Sequence, residues 1–498
     1  MPVRNKTVFS AAALAACAFA FGAQQEVSRD VNKTLALKAG QRLRVENRFG
    51  PVNVRGTARG DVSVRATIRV AAEDRNQAET LLNEIRIDAG ATADGARVAT
   101  VYPDDSVQGG LFRRLRRNNT SYSVSYEIEM PQSAMLDVEN AFGSIAAAGV
   151  NAGVQINGAN GAVRLDDSGG TANIENRFGS VDVGRHKGDV TVRSTNGAVT
   201  VTDAAGMANV TNGFGAVRLT RIGKTVTVVN KNGEVVLEDS GAANLSNSFA
   251  HVTARQVKGD LTVNSSNAAI DASSVAGAAN LRTSFGKITL AHVGRHAYVV
   301  NQNGEVSVED AASADLNTTF APVVARQIKG FLKVNSGNGA VTASSIAGSA
   351  AVQTSFGPVD LQSVNGEVTV TDRNGSVLVD NAAGRVTVRN SFGSVNVKGA
   401  KGPVSVQSQN GAVSAQFDGR GCQPADIQTS FAQVRLMLPE TANYDVVAST
   451  SFGGIRSDFP LTIQGEVNQS SVRGKLGQGG CSLQVTNRNG GIELLKGR

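Results

Sequence analysis

A nine-residue unit repeated about thirty times constrains this chain more than any other feature of it. Phe-Gly or Phe-Ala recurs at Phe142, Phe178, Phe214, Phe249, Phe285, Phe320, Phe356 and Phe392, at intervals of 35 or 36 residues. A second series falls midway: Asn160, Asn196, Asn232, Asn267, Asn303, Asn338, Asn374 and Asn410, nearly always followed by glycine. Between these marks the sequence divides into units such as FGSVDVGRH, KGDVTVRST and NGAVTVTDA, running on from Phe178. Each unit carries a Φ-x-Φ core whose two apolar residues share one face of a short strand, and the remainder makes a tight turn. Asn-Gly is a strong turn signal because glycine accepts positive φ. Strand and corner, repeated without helix, predict an all-β β-solenoid, a single-chain β-helix. A four-stranded propeller blade has a similar length, but the strands of a blade sit in different environments, whereas these quarters are nearly interchangeable.

The coil length follows from stacking. Asp167, Asp203, Asp239 and Asp310 share one corner position, and Arg185, Arg221 and His292 share its equivalent half a period away, with Arg255 and Arg326 one place earlier. A 36-residue coil would stack the aspartates on one another at about 4.8 Å. An 18-residue coil of two strands alternates acid and base, with Asp167 beside Arg185, Asp203 beside Arg221 and Asp310 near Arg326, and is preferred. The phenylalanines argue for the longer coil, which alone would bring them together. About fifteen short coils would give a rod of about 75 Å. The rings are expected to pack into the corners of the core, the alternative being an exposed aromatic stripe for glycans.

Residues outside the repeat divide into a signal peptide over 1–23, an N-terminal β-rich cap over 24–139, the repeat itself over 140–418, and a C-terminal continuation and cap over 419–498. Arg4 and Lys6 precede an apolar run from Val8 to about Phe21, with small residues at Ala20, Gly22 and Ala23 suited to cleavage, which predicts export. The string ending in Cys17 resembles a lipobox, but the residues after it stay apolar, so a lipid anchor there ranks second. The N-terminal cap includes one predicted helix, Glu73 to Ile87, with apolar Ala78, Leu81, Leu82 and Ile85. In the C-terminal segment the final strand is expected to form the last turn. Cys422 and Cys481 fit one disulfide in an oxidising compartment.

Charge excludes a class of partner. The formal charge of +7 falls to +5 without Arg4 and Lys6, and Arg113, Arg114, Arg116 and Arg117 in one loop supply most of what remains. That leaves no spread of basic surface for nucleic acid. The loop reads as solvated, or as a peripheral contact for an anionic surface.

The export signal, the segment YSVSYEIEMPQSAMLDVENAFGSI, the Φ-x-Φ strands with Asn-Gly or Phe-Gly corners and the ending LQVTNRNGGIEL together resemble the bacterial putative-adhesin family of β-strand repeats. The resemblance spans nearly all of the exported chain and implies export and a β-helical fold, with no catalytic residues to carry over. The very regular Phe-Gly series departs from the usual pattern.

No site chemistry emerges from the residues themselves. The aspartate series lacks the G-G-x-G-x-D spacing of calcium-binding repeats and is interrupted at Ser274, Ser345 and Asn381. His186, His251, His292 and His296 fall at different repeat positions and read as surface corners. Paired acids at Asp166-Asp167, Glu238-Asp239 and Glu309-Asp310 recur with the repeat, whereas an active site is singular, and no serine-histidine constellation is visible. The expectation is a non-catalytic protein with no cofactor or metal, presenting a repetitive surface to a glycan or protein at the cell envelope or outside the cell. A periplasmic scaffold and a polysaccharide-active enzyme are the alternatives.

Overall fold

The computed structural model describes residues 25–103, 120–418, 422–464 and 470–497. The signal segment, Cys17 and the arginines 113, 114, 116 and 117 lie outside the described residues. The chain is a β-solenoid of about 17 turns, about 18 residues each, with 65% of residues in strands and one helix among the described residues. At about 4.8 Å per coil the stack is about 80 Å long.

Strand register fixes the coil. Val190 pairs in parallel with Ala172 on one side and Ala208 on the other, and Val199 pairs with Val181 and Val217. Each offset is one 18-residue turn, so the shorter coil holds and the phenylalanines do not stack on one another along the repeat. Two coils are one residue shorter, with Val226 opposite Ala243 and Val306 opposite Val323. These deletions are the origin of the 35-residue intervals. Each coil sends two apolar residues inward from either sheet, as Val190, Val192, Val199 and Val201 do, all essentially inaccessible. Each such burial is worth about 1.5–3 kcal/mol, so the repeated valine ladder builds a core without tryptophan.

The parallel stack extends into the N-terminal segment. Arg42–Phe49 pairs with Met135–Phe142, and Val52–Thr57 pairs with Ile145–Ala148. Residues between these coils close the rod's end: Gly95–Val101 and Ser121–Pro131 add in parallel to the outer edges of Arg42–Phe49 and Val52–Thr57. Antiparallel strands Asp61–Ala72 and Gln25–Ala36 then extend the second sheet. The helix is shorter than expected, Arg75–Glu84, because Asp74 caps its start through Asn76 and Ile85 turns extended and buried. Ala78 and Leu82 face the core. The charged outer strand Gln25–Ala36 is poorly suited to pairing with another chain's edge.

At the other end the chain order is not the spatial order. The last strands, Cys481–Asn487 and Ile492–Lys496, pair with Ala425–Thr429 and Val434–Leu438 on one side, and with Tyr444–Thr450 and Ile455–Ser457 on the other. The final segment is therefore inserted as the penultimate turn, correcting the expectation that it forms the last. Any Φ-x-Φ strand presents the same edge, so local sequence does not say which coil it joins. Cys422 and Cys481 are joined by a disulfide, with Cα atoms 5.4 Å apart.

Candidate functional site

One corner of each coil in the middle of the rod is kinked by a residue with φ between +46° and +60°: Asp167, Arg185, Asp203, Arg221, Asp239, Gln256, Ser274, His292, Asp310, Gln327, Ser345, Ser363 and Asn381. Gly149 and Gly399 bracket the column with φ of +74° and +62°. This left-handed conformation costs an ordinary L residue about 1–2 kcal/mol. Replacing Gln256 or Gln327 by glycine is therefore expected to stabilise the rod by up to about 1 kcal/mol after glycine's own entropic penalty. Thermal unfolding of the single variants checks this.

The charge ladder stands on that column. Arg185 donates from Nε and Nη2 to Asp167 at 2.6 and 2.8 Å, and also reaches Asp166 at 2.8 Å. Arg221 grips Asp203 in the same two-pronged way. The guanidinium beside each of Asp167 and Asp203 holds the carboxyl below its ordinary pKa. The pattern then changes hands. Asp239 pairs with Lys258 at 2.6 Å, and Asp310 is held by His292 at 2.9 Å and Lys329 at 2.7 Å. Arg326 stands opposite Glu309, not Asp310, because it falls six residues after Phe320 where Arg185 falls seven after Phe178, and Gln327 takes the column position. These are exposed pairs of small energetic weight.

A second ladder, missed from sequence, runs along the flat sheet beside the N-terminal cap. Glu46 is bound by Arg44 at 2.6 Å and Arg97 at 2.5 Å, and Glu175 by Arg193 at 3.4 Å. Hydrogen bonding from Arg97 lowers the Glu46 pKa. These carboxylates line an open cleft with Asn47, Thr100, Tyr102 and Asn140, and each already has its cation.

His186 corrects the reading of all four histidines as surface corners: it is 1% exposed, with Nδ1 2.8 Å from the Ser168 hydroxyl and Nε2 3.1 Å from the Gly170 carbonyl. Burial pushes its pKa down. A serine-histidine pair thus exists, with both side chains buried. The other three are partnered nearer the surface, His251 by Asp271, His292 by Asp310 and His296 by Ser313.

The asparagines that hold the corners are not those of the Asn-Gly series. They lie two residues before each ridge position, at Asn176, Asn212, Asn230, Asn247, Asn301, Asn390 and Asn487, all buried. The Asn176 amide donates to the carbonyls of Gly161 and Gly179 at 2.9 and 3.1 Å, tying its own corner to the one a coil earlier. Asn212 and Asn390 do the same. Serine or threonine substitutes in some coils, as Ser408 does on Gly411. Asp372 is the exception, a carboxyl only 3% exposed in a column of neutral donors, and burial raises its pKa. Among the described residues it is the only carboxyl shifted upward. The N-x-[F/N]-G spacing carried this signal.

The phenyl rings overturn the expectation of corner core packing. Phe178, Phe214, Phe249, Phe285, Phe320, Phe356 and Phe392 are 52–63% exposed, and Phe452 is 78% exposed. Asn160 stands in register between Phe142 and Phe178, and Asn196 between Phe178 and Phe214, so phenyl and amide alternate up a single ridge. The inserted last strand preserves the alternation. Asn487 pairs with both Thr429 and Thr450, which brings Asn489 between Phe431 and Phe452. Only the N-terminal end differs, where Phe49 and Phe142 stack at 5.4 Å and Tyr102 and Tyr122 close around Phe49. In the early coils the residue after the ring needs glycine, with φ of +117° at Gly179 and +123° at Gly215. Phe-Ala appears only in later coils, where that position leaves the positive-φ region.

Fold and ridge together define a β-solenoid with one uncovered aromatic edge. No family model matches the chain, and no characterised protein matches it in sequence. Among solved structures, a putative cell adhesion protein from Clostridium sporogenes ATCC 15579 aligns over 95% of this chain and 100% of its own, at 7% identity and a TM-score of 0.14. A putative adhesin from Bacteroides fragilis NCTC 9343 aligns over 70% and 98%, at 11% identity and the same TM-score. Superposition at that level carries no weight, and the fold rests on the strand register.

Proposed function

We propose that this is an exported, non-catalytic, adhesin-like β-solenoid that presents a repetitive surface for binding at the cell envelope or outside the cell. The ridge carries the reading. A soluble monomer rarely leaves a contiguous row of aromatics uncovered, and such surfaces mark interaction sites. Identical weak contacts along one rod add through effective concentration, so the repeat itself supplies avidity. Export rests on the basic start and apolar run of residues 1–23. The absence of catalysis is supported by carboxylates that are paired with cations at the surface and a Ser168–His186 pair that solvent does not reach.

A glycan and matrix-protein array probed with the exported chain is expected to give binding that disappears when Phe214, Phe249, Phe285 and Phe320 are changed together to serine. Protease shaving of intact cells is expected to cut the protein from outside. A chain never cut from outside, or array binding indifferent to those four rings, contradicts the reading.

A further inference from the structure

We infer that the partner of the ridge is a second copy of this chain, docked antiparallel so that each phenyl of one rod enters the notch over an asparagine of the other. The inference rests on the ridge being the working surface proposed above, and names what it meets.

Shape comes first. Rings on alternate coils are about 9.6 Å apart, twice the strand spacing. The notch between them is floored by a smaller amide, as at Asn232, Asn267 and Asn303. A ring entering midway stands about 4.8 Å from a neighbour on each side, a little beyond the about 3.5–4.0 Å of optimal carbon contact, so it enters without clash. Ridge and notch have the same period, so the surface is complementary to itself. A two-fold axis perpendicular to the rod and midway between adjacent coils sends every phenyl level onto an asparagine level. A parallel pair about a two-fold along the rod instead sets phenyl at the height of phenyl. Both pairs are closed and isologous, and only the antiparallel one sets ring against notch.

A matched repeat also solves the problem of length. A stripe on a twisted rod winds away from a straight partner, as a heptad stripe does on a helix. Two copies have the same rise and the same twist, so they stay in contact by winding about each other. A polymer of different period loses register coil by coil.

Area and charge agree. The ten exposed rings from Phe142 to Phe452 are 43–78% exposed. With about 150–250 Å² per aromatic side chain, they offer about 1,000 Å² per copy. A stable interface needs about 800 Å² per partner. Identical surfaces bring identical charges together, which a chain of formal charge +7 must avoid. The residue before each ridge position is uncharged throughout the middle of the rod, from Ser248 to Ser355, and the cations Lys231 and Arg373 stand just beyond those limits.

Sedimentation velocity of the full exported chain across the micromolar range tests this. The wild type is expected to form a dimer. Phe249→Ser/Phe285→Ser/Phe320→Ser weakens it by at least about tenfold. Asn232→Phe/Asn267→Phe/Asn303→Phe fills the notches and also weakens it by about tenfold, although it adds aromatic surface. All six positions lie on the exposed corner, and circular dichroism with thermal unfolding verifies that each variant retains the rod. A wild type that is monomeric at about 100 μM overturns the inference. So does a notch-filled variant that associates as well or more tightly, because that is unspecific adhesion of rings. A monomer that still binds array components through the ridge defeats this inference alone, whereas a monomer that binds nothing defeats the proposed function as well.

Discussion

Changing Cys422 and Cys481 together to serine is expected to loosen the C-terminal coils by up to about 4 kcal/mol. The bridge closes a loop of 59 residues, and constraint of the unfolded chain over that length is worth about 4 kcal/mol at 25 °C. Its position makes the effect local. Cys481 begins the strand that is inserted between Ala425–Thr429 and Tyr444–Thr450, so the bridge pins a segment that must find a place between two coils already laid down by earlier sequence. Without it the coils beyond Val413–Phe417 open to solvent more readily, and the stack up to that strand is unaffected. Hydrogen exchange of the double variant is expected to show lost protection over Ala425–Thr429 and Cys481–Asn487. Wild-type protein in reductant is expected to reproduce it. Unchanged protection in both would show that packing alone holds the insertion.

The second large effect is at Asp372, where Asp372→Asn is expected to stabilise the rod at pH 7 by about 1–2 kcal/mol. The carboxyl occupies the buried column in which neighbouring coils use an amide to clamp glycine carbonyls, as Asn390 does on Gly375 and Gly393. One carboxyl oxygen accepts from the Arg373 amide at 2.7 Å, and the other is buried without a partner. Desolvation is the main cause of its raised pKa, so the folded state holds the proton more tightly than the unfolded chain, whose value is about 3.9. Its stabilising contribution is present below about pH 4 and is lost as pH rises through the folded-state value. The asparagine variant lacks that loss. The difference between the two proteins should therefore be largest at neutral pH and shrink towards pH 3.5, which thermal unfolding at several pH values measures. A variant that is no more stable at pH 7 contradicts the account of the column.

The rod itself was legible because solenoid folding is local. Period-two valines define the strands, and the alternation of Asp167, Arg185, Asp203 and Arg221 chooses the 18-residue coil, since the longer one stacks like charges. The direction of the rings was not. Counting in twos from Ala172, Ile174 and Asn176 sends Phe178 inward, while counting back from Val183 and Val181 sends it outward. The corner breaks the alternation, and only the packed structure decides. Asn-Gly drew attention to Asn160 and its series, which project from the ridge, and away from Asn176 and its series two residues before, which hold the corners. The interleaved end was hidden for a different reason. All strands of a regular solenoid offer equivalent edges, so the order of the last coils is set by chain closure and not by any local pattern. Arg326 lies off the ladder because it sits one place before the kinked position, which Gln327 fills, and register sets it against Glu309.

The most direct test of a repetitive working surface is to shorten it. Deleting residues 179–214 joins Phe178 to Gly215 and removes two coils in phase, one phenyl and one asparagine level with them, and the same operation elsewhere removes a different pair. Affinity for the components bound on the array should be measured by surface plasmon resonance for a series of such deletions. The account predicts a stepwise fall with each level lost, the same whichever pair is removed. Binding abolished by loss of one particular pair and untouched by loss of the others would contradict it, and would place the function in a single site.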